Sequence, residues 1–136
     1  MTTLNMPDEL NWSVVWNELR NNLAKQPPCP DHPLYPHVKT LAQQVINDVI
    51  EIRENGIVLR SHRTYHNDFI EAKRFEIWWN HLVAFGSASL SPGNPNNPHC
   101  WRSRILGAVI ATCLPEKIEV IKSNMIRLTK ANRGGE

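Results

Sequence analysis

The chain has no apolar run long enough to cross a membrane. Its longest run near the C-terminal end, Leu106 to Leu114, is nine residues, against about 20 for a spanning helix. The opening residues, MTTLNMPDELNW, are polar and lack the apolar core of an export signal. Cysteine is scarce and odd in number, with Cys29, Cys100 and Cys113 only. That is no disulfide framework, and it points to a reduced, cytoplasmic protein with free thiols. Cys113 lies among Val109, Ile110 and Leu114 and is expected to be buried and inert.

Several chemical signatures are missing as well. There is no glycine-rich phosphate loop, no serine in a nucleophile elbow and no Cys-x-x-Cys pair. Nucleotide hydrolysis, ester hydrolysis and thiol–disulfide exchange therefore lack their usual sequence support. A dense excess of one charge is also absent. The formal net charge of +2 permits a nucleic-acid partner without demanding one. No internal repeat divides the 136 residues, which suit a single domain, 1–136.

What the chain does have is apolar residues at helical spacing. Between residues 61 and 86, Tyr65, Phe69, Ala72, Phe75, Trp79, Leu82 and Val83 recur at steps of three and four. Ser61 or Thr64 can cap the start and Gly86 can end it in a left-handed turn. A second stripe, Ile70, Ile77, Trp78 and Phe85, makes this helix apolar on two faces. Such a helix sits centrally, or buries one stripe against a second copy to give a homodimer. Neighbouring residues point about 100° apart. Trp78 is therefore kept as a binding anchor should one tryptophan of the pair be exposed, core burial being the alternative.

The other elements are read around this one. Trp12, Val15, Trp16, Leu19 and Leu23 form a first helix, capped by Asp8 or Asn11. Residues 26–36, QPPCPDHPLYP, are a stiff proline-rich strap. A second helix runs from Pro36 to Asn55, with Gly56 as its left-handed stop. Ile57-Val58-Leu59 is read as a buried connector, since no partner strand is evident. Residues 87–98 form a long polar loop, of a length that is often functional. A fourth helix follows Pro98 and carries Trp101, Ile105, Val109 and Thr112. Its Gly107 implies close approach by a neighbour. Beyond Pro115, Ile118, Ile121, Met125 and Leu128 make a fifth, and residues 133–136 fray. The expected fold is all-α: a single-domain bundle of four to five helices around the central helix at 61–86.

Three chemistries compete for the six histidines. Cys29-x2-His32 together with His99-Cys100 would supply two thiolates and two imidazoles, a tetrahedral zinc set. Adjacency strains joint coordination by His99 and Cys100, and no acidic partner stands at Glu-x-x-His spacing. His62-x3-His66 would share a helical face. No metal and no cofactor is assigned.

The second chemistry is acid–base cleavage of RNA. Arg60 stands six residues ahead of His66, and Arg74 seven ahead of His81. An arginine can fork a phosphate while an imidazole moves a proton. The Arg60–His66 pair resembles the short Arg-x4–6-His signature of HEPN-type ribonucleases. That resemblance implies an all-α, often dimeric, metal-independent nuclease with Arg60 and His66 as catalytic residues. The usual polar residue after the arginine is Ser61 here, and the apolar Phe75 follows Arg74.

The third is binding without catalysis. Arg60, Arg63, Lys73 and Arg74 cluster, Arg102 and Arg104 flank Trp101, and Lys122, Arg127, Lys130 and Arg133 lie near the end. Aligned, these basic faces suit a phosphate backbone, with Trp101 or His99 at hand for a base. They would equally suit an acidic protein. The sequence thus favours a non-enzymatic interaction or adaptor protein. Its partner is nucleic acid (RNA or DNA) or an acidic protein. The candidate binding residues are Arg63, Arg74, Trp78, His81, Trp101, Arg102 and Arg104. The nuclease using Arg60 and His66 is the alternative.

Overall fold

The computed structural model describes residues 10–98, 102–122 and 124–129. Among them are three helices and seven strands in two antiparallel sheets, so the all-α bundle is overturned. Expectations resting on Asp8, His99, Cys100, Trp101, Lys130, Arg133 and the 133–136 tail lie outside the described residues. No described helix is long and apolar enough to cross a membrane.

Helix α1, Trp12–Ala24, forms as its spacing demands. The Asn11 side chain accepts from the Ser13 amide at 3.0 Å, so the first turn is capped. Val15, Trp16, Leu19 and Leu23 face inward. The central stretch divides. Strand β4, Asn67–Glu71, precedes helix α2, Ala72–Phe85, which ends on Gly86 at φ 83°. Phe75, Trp78, Trp79 and Leu82 of α2 are buried, and each large side chain removed from water contributes about 1.5–3 kcal/mol. Tyr65 is no part of a helix. It takes a left-handed φ of 59° in the turn before β4.

The expected second helix is instead strand β1, His37–Lys39, a turn, and strand β2, Ile46–Arg53. Five of the eight residues from Val45 to Ile52 are β-branched, which fits a pleated surface better than a helix. Strand β3, Gly56–Ser61, takes the stretch read as a connector and lies between β2 and β4. The first sheet has order β1-β2-β3-β4, each neighbour antiparallel. Glu54 and Asn55 turn the β2–β3 hairpin, with Arg53 opposite Gly56. Gly56 does not adopt a positive φ. A Cβ there would sit 2.5 Å from the Ile70 carbonyl oxygen and 2.6 Å from the Phe69 ring, so close approach of β4 is what requires glycine.

Strand β5, Ser87–Ser89, opens the polar loop, and helix α3, Ser103–Cys113, follows it. Leu90 lies against Gly107, the close neighbour that this glycine implied. The expected fifth helix is a hairpin of β6, Ile118–Lys122, and β7, Met125–Leu128. The second sheet has order β5-β7-β6. Helices and both sheets meet in one apolar cluster that includes Trp16, Ile57, Leu59, Trp78, Val109 and Ile126. Trp79 donates through Nε1 to the Leu10 carbonyl at 2.9 Å, tying α2 to the start of α1.

Candidate functional site: a basic pocket at the start of α3

Two turns of the first sheet and the start of α3 enclose a pocket of about 360 Å³. The β1–β2 turn supplies Thr40 and Gln43, and the end of β3 supplies Ser61, Arg63 and Thr64. Helix α3 supplies Arg102, Ser103 and Arg104, and Pro92 of the polar loop completes the rim. Buried Asn47, opposite Ser61 on β2, lines the wall.

Each arginine is held differently. Arg63 donates through Nη2 to Gln43 Oε1 at 2.7 Å, so a neutral group orients it and its charge is not cancelled. Arg102 pairs with Asp68 at 2.8 Å. Arg104 is exposed on the first turn of α3, and no ion pair engages it or Arg63 among the described residues. Arg102 is the N-cap of α3 but provides no side-chain cap. The positive end of the helix therefore faces the same space as the guanidinium groups. Among the described residues lining the pocket there is no imidazole, thiol or carboxylate.

Strain gathers at this rim. The non-glycine residues with left-handed φ are Gln44, Tyr65 and Arg102, among the described residues. One lies in each of the β1–β2 turn, the β3–β4 turn and the start of α3, and such conformations cost about 1–3 kcal/mol each.

Of the residues singled out in the sequence, Arg63, Arg102 and Arg104 come together here. Trp78 is fully buried, so its ring offers nothing at the surface. His81 lies on α2, its Nε2 2.8 Å from Asn96 Oδ1 in the polar loop, and its ring packs on Phe85. Arg74 is half-buried on α2 and does not line the pocket. The residues that sequence reasoning missed are Thr40, Gln43, Ser61 and Thr64. Ser61 and Thr64 adjoin Arg60 and Arg63 in the sequence, whereas Thr40 and Gln43 carried no local signal.

Arg60 and His66 have different surroundings. Arg60 donates to Asp48 Oδ2 from Nε at 3.1 Å and Nη2 at 2.9 Å, and lies over the Tyr35 ring. His66 is exposed in the turn before β4. The all-α frame that the ribonuclease resemblance implied is not the frame that holds them.

Beside Arg60 is a second cluster. Strand pairing sets Asp48 opposite Arg60, and His62 follows two residues later. The proline-rich segment folds back through a Pro28–Pro36 bridge and lays Cys29 over them. Asp48 Oδ1 is 2.9 Å from His62 Nε2, and Cys29 Sγ is 3.7 Å from the same nitrogen. His62 stacks on Tyr65 and meets the His32 ring edge-on. Burial pushes the Asp48 carboxyl up. Hydrogen bonds from Cys29, Arg60 and His62 outweigh that, and the net direction is down. Burial, then the bond to Asp48, raises the Cys29 thiol. No family model, no curated protein and no solved structure matches this chain, so geometry alone assigns its sites.

Proposed function

We propose that this protein is a non-enzymatic nucleic-acid-binding module that takes a backbone phosphate in the α3 pocket. The observation that carries the proposal is the convergence of Arg63, Arg102 and Arg104 on one concavity with Asp68 as the paired carboxylate. Guanidinium forks, the hydroxyls of Thr40, Ser61 and Thr64 and an uncapped helix start are complementary to phosphate oxygens. A concave pocket favours an inserted phosphate over the flatter contact that an acidic protein would make.

Fluorescence anisotropy with labelled single- and double-stranded RNA and DNA at low salt tests the proposal. Binding should weaken steeply as salt rises, because neutralised phosphates release counterions. Arg63→Ala and Arg104→Ala should each lower the slope of log affinity against log salt by about 1. No association at the lowest salt, or slopes unmoved by both changes, overturns it. Equal retention of an acidic polypeptide would replace the nucleic acid with a protein partner.

A further inference from the structure

Away from the pocket, the described residues hold one cluster where a thiol, a carboxylate and an imidazole converge. Cys29 Sγ, Asp48 Oδ1 and His62 Nε2 all lie within 4.8 Å of one another. We infer that Cys29, Asp48 and His62 form a three-donor site for a divalent metal ion of the zinc class, with the fourth position left to solvent.

The orientation of His62 separates this from a nucleophile. In a cysteine–histidine–aspartate triad one ring nitrogen faces the thiol and the other faces the carboxylate. Here the thiol and the buried Asp48 carboxylate both face Nε2. The carboxylate on the Nδ1 side, that of exposed Asp31, stands 3.8 Å away, too far for the hydrogen bond a triad needs. Three donors then surround one point. With zinc bonds of about 2.3 Å to sulfur and 2.0 Å to nitrogen, a tetrahedral S–N edge is roughly 3.5 Å. The Sγ–Nε2 distance is 3.7 Å. The 2.9 Å Nε2–Oδ1 pair must open by about 0.4 Å, a small side-chain rotation.

The surroundings hold the donors as a metal site requires. Arg60 occupies Oδ2 of Asp48 with two N–H groups and leaves Oδ1 to the ion. His32 packs edge-on against the His62 ring, with centroids 5.6 Å apart, and lies outside the group of three donors. Thiolate and imidazole favour zinc over magnesium or calcium. On binding, the Cys29 S–H proton goes to solvent. The proton that His62 Nε2 donates to Asp48 leaves that nitrogen while Nδ1 takes one up from solvent, so the neutral ring ligates through Nε2. Thiolate and Asp48 carboxylate then balance the dication. Such an ion would pin the proline-rich loop to the β2–β3 hairpin.

The test is cobalt(II) titration of the chelator-treated full chain, followed by zinc(II) competition. A single equivalent should give the thiolate-to-cobalt charge-transfer band and tetrahedral visible bands, and zinc should bleach both. Cys29→Ser should abolish the charge-transfer band, whereas Cys100→Ser and Cys113→Ser should keep it. Arg60→Met should weaken zinc by about 10–100-fold through the outer shell. Circular dichroism of each metal-free variant reports folding, and zinc should raise the thermal midpoint of the native chain but not of Cys29→Ser. A folded chain that takes up no cobalt, or a band lost in Cys100→Ser and kept in Cys29→Ser, overturns this ligand set.

Discussion

Arg60 grips a single oxygen of Asp48 through both Nε and Nη2. The two partners are unequally buried, with the Asp48 side chain 0% exposed and that of Arg60 23%. Removing either should therefore have unequal consequences. Arg60→Ala leaves a buried carboxylate with only its Cys29 and His62 bonds and should cost about 3–5 kcal/mol. Asp48→Asn lets Arg60 turn toward water and should cost about 1–3 kcal/mol, the value of a charged hydrogen bond. Urea unfolding in chelator measures both. Equal losses would contradict the asymmetry.

Acid should erase the contribution of Asp48. Its folded carboxyl titrates below the ordinary value of 3.8, against burial, because Cys29, Arg60 and His62 bond to its ionised form. The sign follows from linkage. A depressed carboxyl adds stability above its unfolded pKa and loses it as pH falls through the folded one. The gap in urea midpoint between the native chain and Asp48→Asn should stay constant from neutral pH to about 5 and then close below about 4. A gap that persists undiminished into acid would place the stabilisation elsewhere.

Cys113 should be chemically silent. Burial pushes its thiol up to about 12, so almost no thiolate exists near neutrality. Peptide mapping after maleimide treatment at neutral pH should find Cys113 unlabelled in the folded chain and labelled in denaturant. Prompt labelling of the folded protein would mean that α3 opens readily.

Helices were legible where one period governed a whole segment. Trp12 to Leu23 repeat at three and four, Asn11 caps them, and α1 stands where the spacing puts it. Gly86 marks the end of α2 in the sequence and in the structure. Strands were hidden by accidents of spacing. The proline-rich segment covers Asp48 on the face opposite Asn47 and Val49, so three successive residues are buried, and a bulge between Val49 and Glu51 shifts the register beyond them; together these erase alternation in β2. Ile118, Ile121, Met125 and Leu128 mimic a helical stripe. In the hairpin Ile121 is exposed, and Ile118, Ile126 and Leu128 face the core. Once β2 is taken for a helix, β3 has no visible partner. The error at 36–55 thus produced the error at 57–59.

The candidate sites were legible in halves for the same reason. Cys29 can be read locally, through its x2 spacing to His32 in one tight segment. Asp48 and His62 meet only through β2–β3 register, which helical assignment of 36–55 removed. One local sign remained: Asp48 is an acid inside the apolar run Val45 to Ile52, and an acid in a strand core needs partners. Arg63, Arg102 and Arg104 were named from charge alone. Their convergence depends on the β1–β2 and β3–β4 turns reaching the start of α3.

Two glycines should respond differently to a methyl group. At Gly56 an added Cβ meets the Ile70 backbone oxygen at 2.5 Å, so relief requires moving β4 itself. At Gly107 it meets the Leu90 side chain at 2.7 to 2.9 Å, and a rotamer change can relieve it. Alanine also gains about 1 kcal/mol over glycine inside α3, which offsets part of the overpacking. Gly56→Ala should thus cost about 2–3 kcal/mol and Gly107→Ala at least about 1 kcal/mol less. Chemical denaturation of the two variants decides the order. If Gly107→Ala were the more damaging, Leu90 would have to be locked as firmly as backbone, and the account of both contacts would fail.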